Sequence, residues 1–184
     1  MDTGAPLVVL AAEVVLQSVG GTRVVPVGEL WTGPGRTTAR SDELCTAIQL
    51  PRPVAMSGSA YVRLEYRRAM EIAVVGAAAN VALAHDGTLT GVAVALTAVA
   101  PTIIAVTGLE GLLGRPVDAA MCAAIGELAS EQARPISDLR GSDRYRRHCV
   151  GVMARRAAEA ASRRARGETI AVPVNRSLGI GAAS

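Results

Sequence analysis

AYVRLEYRRAMEIAVVGAAANVALAHDGTLTGVAVALTA, residues 60–98, is the stretch whose reading decides the fold. Across Ala60–Arg67 the residues Tyr61, Arg63, Glu65 and Arg67 fall on one side, and Val62, Leu64 and Tyr66 on the other. Successive side chains of a strand point to opposite faces, so the alternation reads as a half-buried strand. Glu71–Leu83 reads as a long strand of small apolar residues. His85-Asp86-Gly87-Thr88 is a hairpin signal of the Asp-Gly type, and Thr88–Ala98 returns antiparallel. Together they predict a three-stranded meander.

Toward the C-terminus the pattern turns helical. Ile104–Leu113 reads as a short helix closed by Gly114. Arg115-Pro116 and Asp118 open a second, with Met121, Ala124, Ile125 and Leu128 on its inner face and Pro135 at its end. The longest helix runs from Asp143 to about Arg166, with Ser142 as N-cap. Tyr145, Cys149, Val152, Met153 and Ala157 form its apolar stripe. Glu168–Ser184 reads as a ragged tail.

Toward the N-terminus, Pro51–Ser59 reads as a linker and domain boundary, because Pro, Ser and Gly cluster there and periodicity vanishes. Before it, residues 12–17 (AEVVLQ) and 22–27 (TRVVPV) predict a hairpin across Ser18-Val19-Gly20-Gly21. Thr32–Thr37 reads as a loop, and the second half of Leu44–Leu50 as a strand. Two strands alone are marginal, so the hairpin reads as the end of a larger sheet. Strands followed by helices, in blocks, predict an α+β fold: a three-stranded antiparallel sheet with a small helix bundle on one face.

Composition narrows the function classes. The chain has 184 residues, half of them hydrophobic, with no Phe and one Trp. Its core must be built from many small contacts. All 19 basic residues are Arg, against 16 acids, a modest excess that sits mostly in the last helix. Arg144, Arg146, Arg147, Arg155, Arg156, Arg163, Arg164 and Arg166 fall on more than one side of it and lack interleaved aromatics. A solvated or partner-facing surface fits them better than nucleic acid. Cys45, Cys122 and Cys149 are odd in number and far apart, which argues against a disulfide framework. His85 and His148 stand alone, without metal-ligand or triad spacing. No apolar run reaches membrane-spanning length, and Asp2 argues against a signal peptide, so a cytoplasmic chain is expected. Phosphate-binding, zinc-protease and nucleophile-elbow motifs are missing, and no catalytic or metal-binding residue is assigned. In Tyr61–Ala79, arginines and an acid border a strip of small apolar residues around Ile72 and Gly76. This is either a strand edge with ordinary surface charge or a floor suited to a planar ligand.

Four segments in order carry a resemblance: DTGAPLVVLAAEVVL (2–16), GELWTGPGRTTARSDELCTAIQLPRP (28–53), AYVRLEYRRAMEIAVVGAA (60–78) and RPISDLRGSDRYRRHCVGVMARRAAE (134–159). The sequence resembles the FAD-binding (medium) subunit of the carbon-monoxide/xanthine dehydrogenase family of molybdenum hydroxylases, in its C-terminal part. The resemblance implies that residues 1–53 are the C-terminal remnant of a truncated FAD-binding domain and that 59–166 form the flavoprotein C-terminal domain; 167–184, beyond the matching segments, are expected to be a disordered tail. It implies a chain beginning just after the second of two Gly-rich loops that cradle the FAD pyrophosphate in the family. The site residues it implies are Asp2, hydrogen-bonding the cofactor; Leu44 and Cys45, apolar neighbours of the flavin, with Cys45 where Leu is usual; Arg63, contacting the cofactor; Glu71, where Asp is usual; and Ile72, packing on the ring. It implies an oxidoreductase subunit relaying electrons through FAD to an acceptor. The partners implied are an iron–sulfur small subunit and a molybdenum large subunit, which would carry the clusters and the molybdenum cofactor. The alternative is a non-catalytic interaction module that no longer binds FAD.

Overall fold

The computed structural model of the chain describes residues 2–67 and 70–171. Arg68 and residues 172–184 of the expected tail lie outside the described residues. A short helix α1 (Gly4–Val9) leads into the hairpin β1 (Glu13–Ser18) and β2 (Gly21–Pro26). Ser18 pairs with Gly21, so the turn is the expected one. A single helical turn α2 (Val27–Leu30) follows. The segment expected as a loop holds a miniature hairpin, β3 (Trp31–Gly33) with β4 (Arg36–Thr37). Gly35 supplies the left-handed residue of its turn, at φ +67°, a conformation cheap only for Gly. β5 (Leu44–Gln49) is strand throughout, not in its second half alone, and completes a sheet of order β2-β1-β5.

The second sheet is the meander: β6 (Ser57–Leu64), β7 (Val75–Leu83) and β8 (Leu89–Thr97), extended by a two-residue edge strand β9 (Ile104–Ala105), in the order β6-β7-β8-β9. The Asp-Gly turn closes as expected. Asp86 accepts from the Thr88 amide at 2.9 Å, and the Ala84 amide donates to the Thr88 carbonyl at 2.9 Å.

Three further expectations need correction. The linker is shorter than Pro51–Ser59, because Ser57-Gly58-Ser59 pairs with Asn80–Ala82 as the start of β6. The helix expected over Ile104–Leu113 is instead β9 and a 3-10 turn at Leu109–Leu112. Ile104 and Ala105 pair with β8, the Val106 amide donates to Val94, and Gly108 at φ +79° breaks the chain before a helix can propagate. The third concerns Glu71–Val74, which stay outside β7. Arg67 holds Glu71, and the Val74 carbonyl is taken by Arg146.

Helices α3 (Ala119–Gln132) and α4 (Asp143–Ala165) cover one face of the meander. Their caps are the expected ones. Asp118 accepts from Met121 at 2.8 Å and Ser142 from Tyr145 at 3.1 Å. The inner face of α4 differs in part from the expected stripe. Cys149, Met153 and Ala157 are buried, Tyr145 is exposed, and Arg146, Val150, Ala154 and Ala161 are buried beside them. Small side chains let the layers meet closely. A Cβ at Gly58 would lie 2.5 Å from the Ala165 amide nitrogen of α4, so the Ser-Gly-Ser run that reads as a linker is a strand lying flush under a helix. The opposite face of the meander carries α1, whose Ala5 and Val9 pack on Ala78 and Ala95.

Candidate cofactor site

The alternation of β6 decides what its outer face carries. Val62 points to the helices and is fully buried, which leaves Tyr61 and Arg63 on the α1 side, opposite Ala78 and Gly76 of β7. Asp2, just ahead of α1, reaches this face. The Tyr61 hydroxyl donates to Asp2 Oδ1 at 2.9 Å, and Arg63 donates to Asp2 Oδ2. The other arm of Arg63 pairs with Glu65. Burial, reinforced by the Asp2 charge, pushes the Tyr61 hydroxyl far above the ordinary tyrosine range, so it stays a proton donor. Two of the expected site residues, Asp2 and Arg63, are thus a charge-assisted pair built across 61 positions of chain.

Glu71 and Ile72 form a second group. The Glu71 carboxylate accepts from Arg67 Nε at 3.0 Å and from the Ile72 amide at 3.1 Å. The Arg67 hydrogen bond is the main cause that holds this carboxyl below the usual range. The Arg67 guanidinium also donates to the Met70 carbonyl, so the segment loops back on itself and turns Ile72 outward, 62 % exposed. Glu71 therefore shapes the loop that presents Ile72.

Leu44 and Cys45 lie on the other sheet, opposite Gln17 and Leu16. All six residues of β5 are exposed, Leu44 at 73 %. The loop before this strand is pinned by a bidentate pair, Arg23 to Glu43 at 2.6 and 2.8 Å, with the Arg40 amide donating to the same carboxylate. None of the hydrogen bonds or ion pairs among the described residues joins Leu44 or Cys45 to the other two groups.

Beside Ile72 lies a hollow of about 390 Å³, floored by Ala73, Ala98, Ala100 and Pro101 and edged by Pro34 of the miniature hairpin. Arg146 stands in its wall, 5 % exposed, donating to the carbonyls of Val74 (2.7 Å) and Ala98 (3.3 Å) and to Asp138 (2.6 Å). Residue-type reasoning grouped Arg146 with a surface row. Its real signal is its place on α4, three residues before Cys149 on the buried side. Other arginines of that row are also tied to backbone carbonyls of neighbouring segments. Arg147 donates to Ala133, Arg164 to Ser59 and Arg166 to Val117. Tyr61 and Glu65 were also missed as site members, although the alternation of β6 had already placed them on one face with Arg63.

Residues 60–161 match the family model described as CO dehydrogenase flavoprotein C-terminal domain, and residues 1–53 match that described as FAD binding domain in molybdopterin dehydrogenase. The chain is 33% identical over 166 residues to the carbon monoxide dehydrogenase medium chain of Afipia carboxidovorans, covering 90% of this chain and 57% of that one. It is 29% identical over 157 residues to a xanthine dehydrogenase FAD-binding subunit of Escherichia coli O157:H7, covering 84% and 53%. Among solved structures it is similar to the cyanide-inactivated Cu,Mo-CO dehydrogenase, with TM-score 0.82 and 32% identity over 89% of this chain and 57% of that chain. The carbon monoxide dehydrogenase of Hydrogenophaga pseudoflava gives TM-score 0.81 and 30% identity over 87% and 55%. The chain spans about half the length of the curated relatives it matches. Among the described residues no helix is long and apolar enough to cross a membrane.

Proposed function

The chain belongs to the flavoprotein family of the CO dehydrogenase and xanthine dehydrogenase type, in its C-terminal domain, and from that membership we propose that it forms one wall of an FAD site in the flavin subunit of a molybdenum hydroxylase. In this reading, residues 1–53 belong to the FAD-binding domain and 59–166 to the C-terminal domain. The partners are an iron–sulfur subunit and a molybdenum subunit. Bound FAD would supply the redox chemistry, receiving electrons from the clusters and passing them to an acceptor.

The observation that carries the reading is the exposure of Leu44 and Ile72, at 73 % and 62 %. Large aliphatic side chains this open, at two positions that the resemblance gives as flavin neighbours, fit a flat apolar ring that removes them from water. The polar half fits as well. The Asp2 carboxylate is 42 % exposed and held by Tyr61 and Arg63, which leaves it free to accept a further hydrogen bond in a fixed direction. Glu71 holds the loop that presents Ile72, and Cys45 lies beside Leu44. The chain's own work is to bind, orient and shield. No side chain here has to take or give a proton.

The test mixes the chain with FAD, with and without the Gly-rich half of a family relative, and measures flavin absorbance retained through gel filtration. Wild-type chain should retain flavin in the mixture, and Leu44→Asp and Ile72→Asp should each lower retention about tenfold or more, because a charge beneath an apolar ring loses its hydration. Unchanged retention in both variants would overturn the proposed wall.

A further inference from the structure

We propose that the hollow beside Ile72 is a binding site for a flat organic anion, an aryl carboxylate or a nucleoside monophosphate. The site goes beyond the flavin reading and needs no flavin. Its size, about 390 Å³, lies in the range of small-molecule pockets. Ala73, Ala98, Ala100 and Pro101 line it with small side chains that carry no polar group. Ile72 and Ile136, 62 % and 72 % exposed among the described residues, line it.

The charge around this floor is unbalanced. Arg134, Arg140 and Arg146 line the hollow together with one carboxylate, Asp138. Asp138 is already committed, accepting from Arg146 at 2.6 Å and from the Arg140 amide at 2.7 Å. The Arg140 guanidinium stands 3.7 Å from it, a loose pair. Glu71, the other acid near Arg140, is held by Arg67. Among the described residues the Arg134 guanidinium donates to the carbonyls of Glu131 and Ala133, which orient it without cancelling its charge. Two cations in surplus, at the mouth of a hollow of low polarity, attract an anion more strongly than the same groups spread over open surface. Buried Arg146 fixes the wall, and the two outer arginines select the charge.

Isothermal titration calorimetry on the chain without flavin tests this, with two pairs of probes: benzoate against benzamide, and adenosine 5′-monophosphate against adenosine. Benzoate, the nucleotide or both should bind about tenfold or more tighter than the neutral counterpart, and raised salt should weaken them. Binding of one anion alone identifies the source as an aryl acid or a nucleotide. Arg134→Gln and Arg140→Gln should each weaken the anion about threefold or more, and Arg52→Gln, in a separate hollow, should not. The variants change exposed side chains, and thermal melts confirm that they fold. Absence of anion binding, equal binding of the neutral probes, or indifference to both arginine substitutions would each overturn the proposal. Normal flavin retention with no anion binding sinks this site alone. Anion binding without flavin retention sinks only the flavin wall.

Discussion

The Arg146 guanidinium ties three segments at once: the Val74 carbonyl, the Ala98 carbonyl and the Asp138 loop. Removing it leaves Asp138 without this charged partner and the two carbonyls without this donor. A buried carbonyl left without a donor costs its full desolvation, whereas Asp138, 30 % exposed, can turn to water. Arg146→Met should therefore lower stability by about 1–3 kcal/mol in urea unfolding, although Met suits a helix as well as Arg. The Arg23–Glu43 pair makes a different, pH-dependent contribution. Its hydrogen bonds from Arg23, then from the Arg40 amide, hold the Glu43 carboxyl at about 2, against an ordinary value of 4.5. A depressed carboxylate contributes stability in full above its unfolded value and loses it as pH falls toward the folded one. The urea midpoint of wild type should exceed that of Glu43→Gln at pH 6, and the gap should close between about pH 4.5 and 2. A gap that stays constant over that window would mean the pair contributes nothing through charge.

At the scale of elements, the α3–α4 crossing gives a prediction whose sign is diagnostic. A Cβ at Gly126 would lie 2.8 Å from the Gly151 carbonyl oxygen, and one at Gly151 would lie 2.8 Å from that of Gly126. Helix propensity alone favours Ala over Gly by about 1 kcal/mol. Overpacking a tight contact costs about 1–3 kcal/mol. Gly126→Ala and Gly151→Ala should therefore both destabilise, read as a lower thermal midpoint, and stabilisation by either would refute the close crossing. Elements with their own periodicity were legible in the sequence: the alternating β6, the Asp-Gly hairpin and the two capped helices. Elements decided by a distant partner were not. Ile104-Ala105 has no strand pattern of its own and becomes β9 because β8 offers a free edge. Ser57-Gly58-Ser59 lacks the composition of a strand and becomes one because β7 pairs with it, while α4 leaves no room for a side chain at Gly58.

At the scale of the whole molecule, the candidate site was legible as a set of residue types and not as a geometry. Alternation put Tyr61, Arg63 and Glu65 on one face, but nothing local brings Asp2 to them across α1. Resemblance gave Leu44 and Ile72 as flavin neighbours, and the fold leaves both open to solvent, one on strand β5 and one in the loop between β6 and β7. The hollow behind Ile72 was not legible at all, since Pro34, Ala73, Ala98 and Arg134 meet only in the folded chain. A flavin lying against both open side chains would pass its ring current to their methyl groups. Methyl-resolved NMR of the chain, titrated with FAD in the presence of the Gly-rich half of a relative, reads this directly. The account predicts shifts at the Leu44 and Ile72 methyls while the buried Ile125 stays in place. Bound flavin that leaves Leu44 and Ile72 unshifted would contradict it.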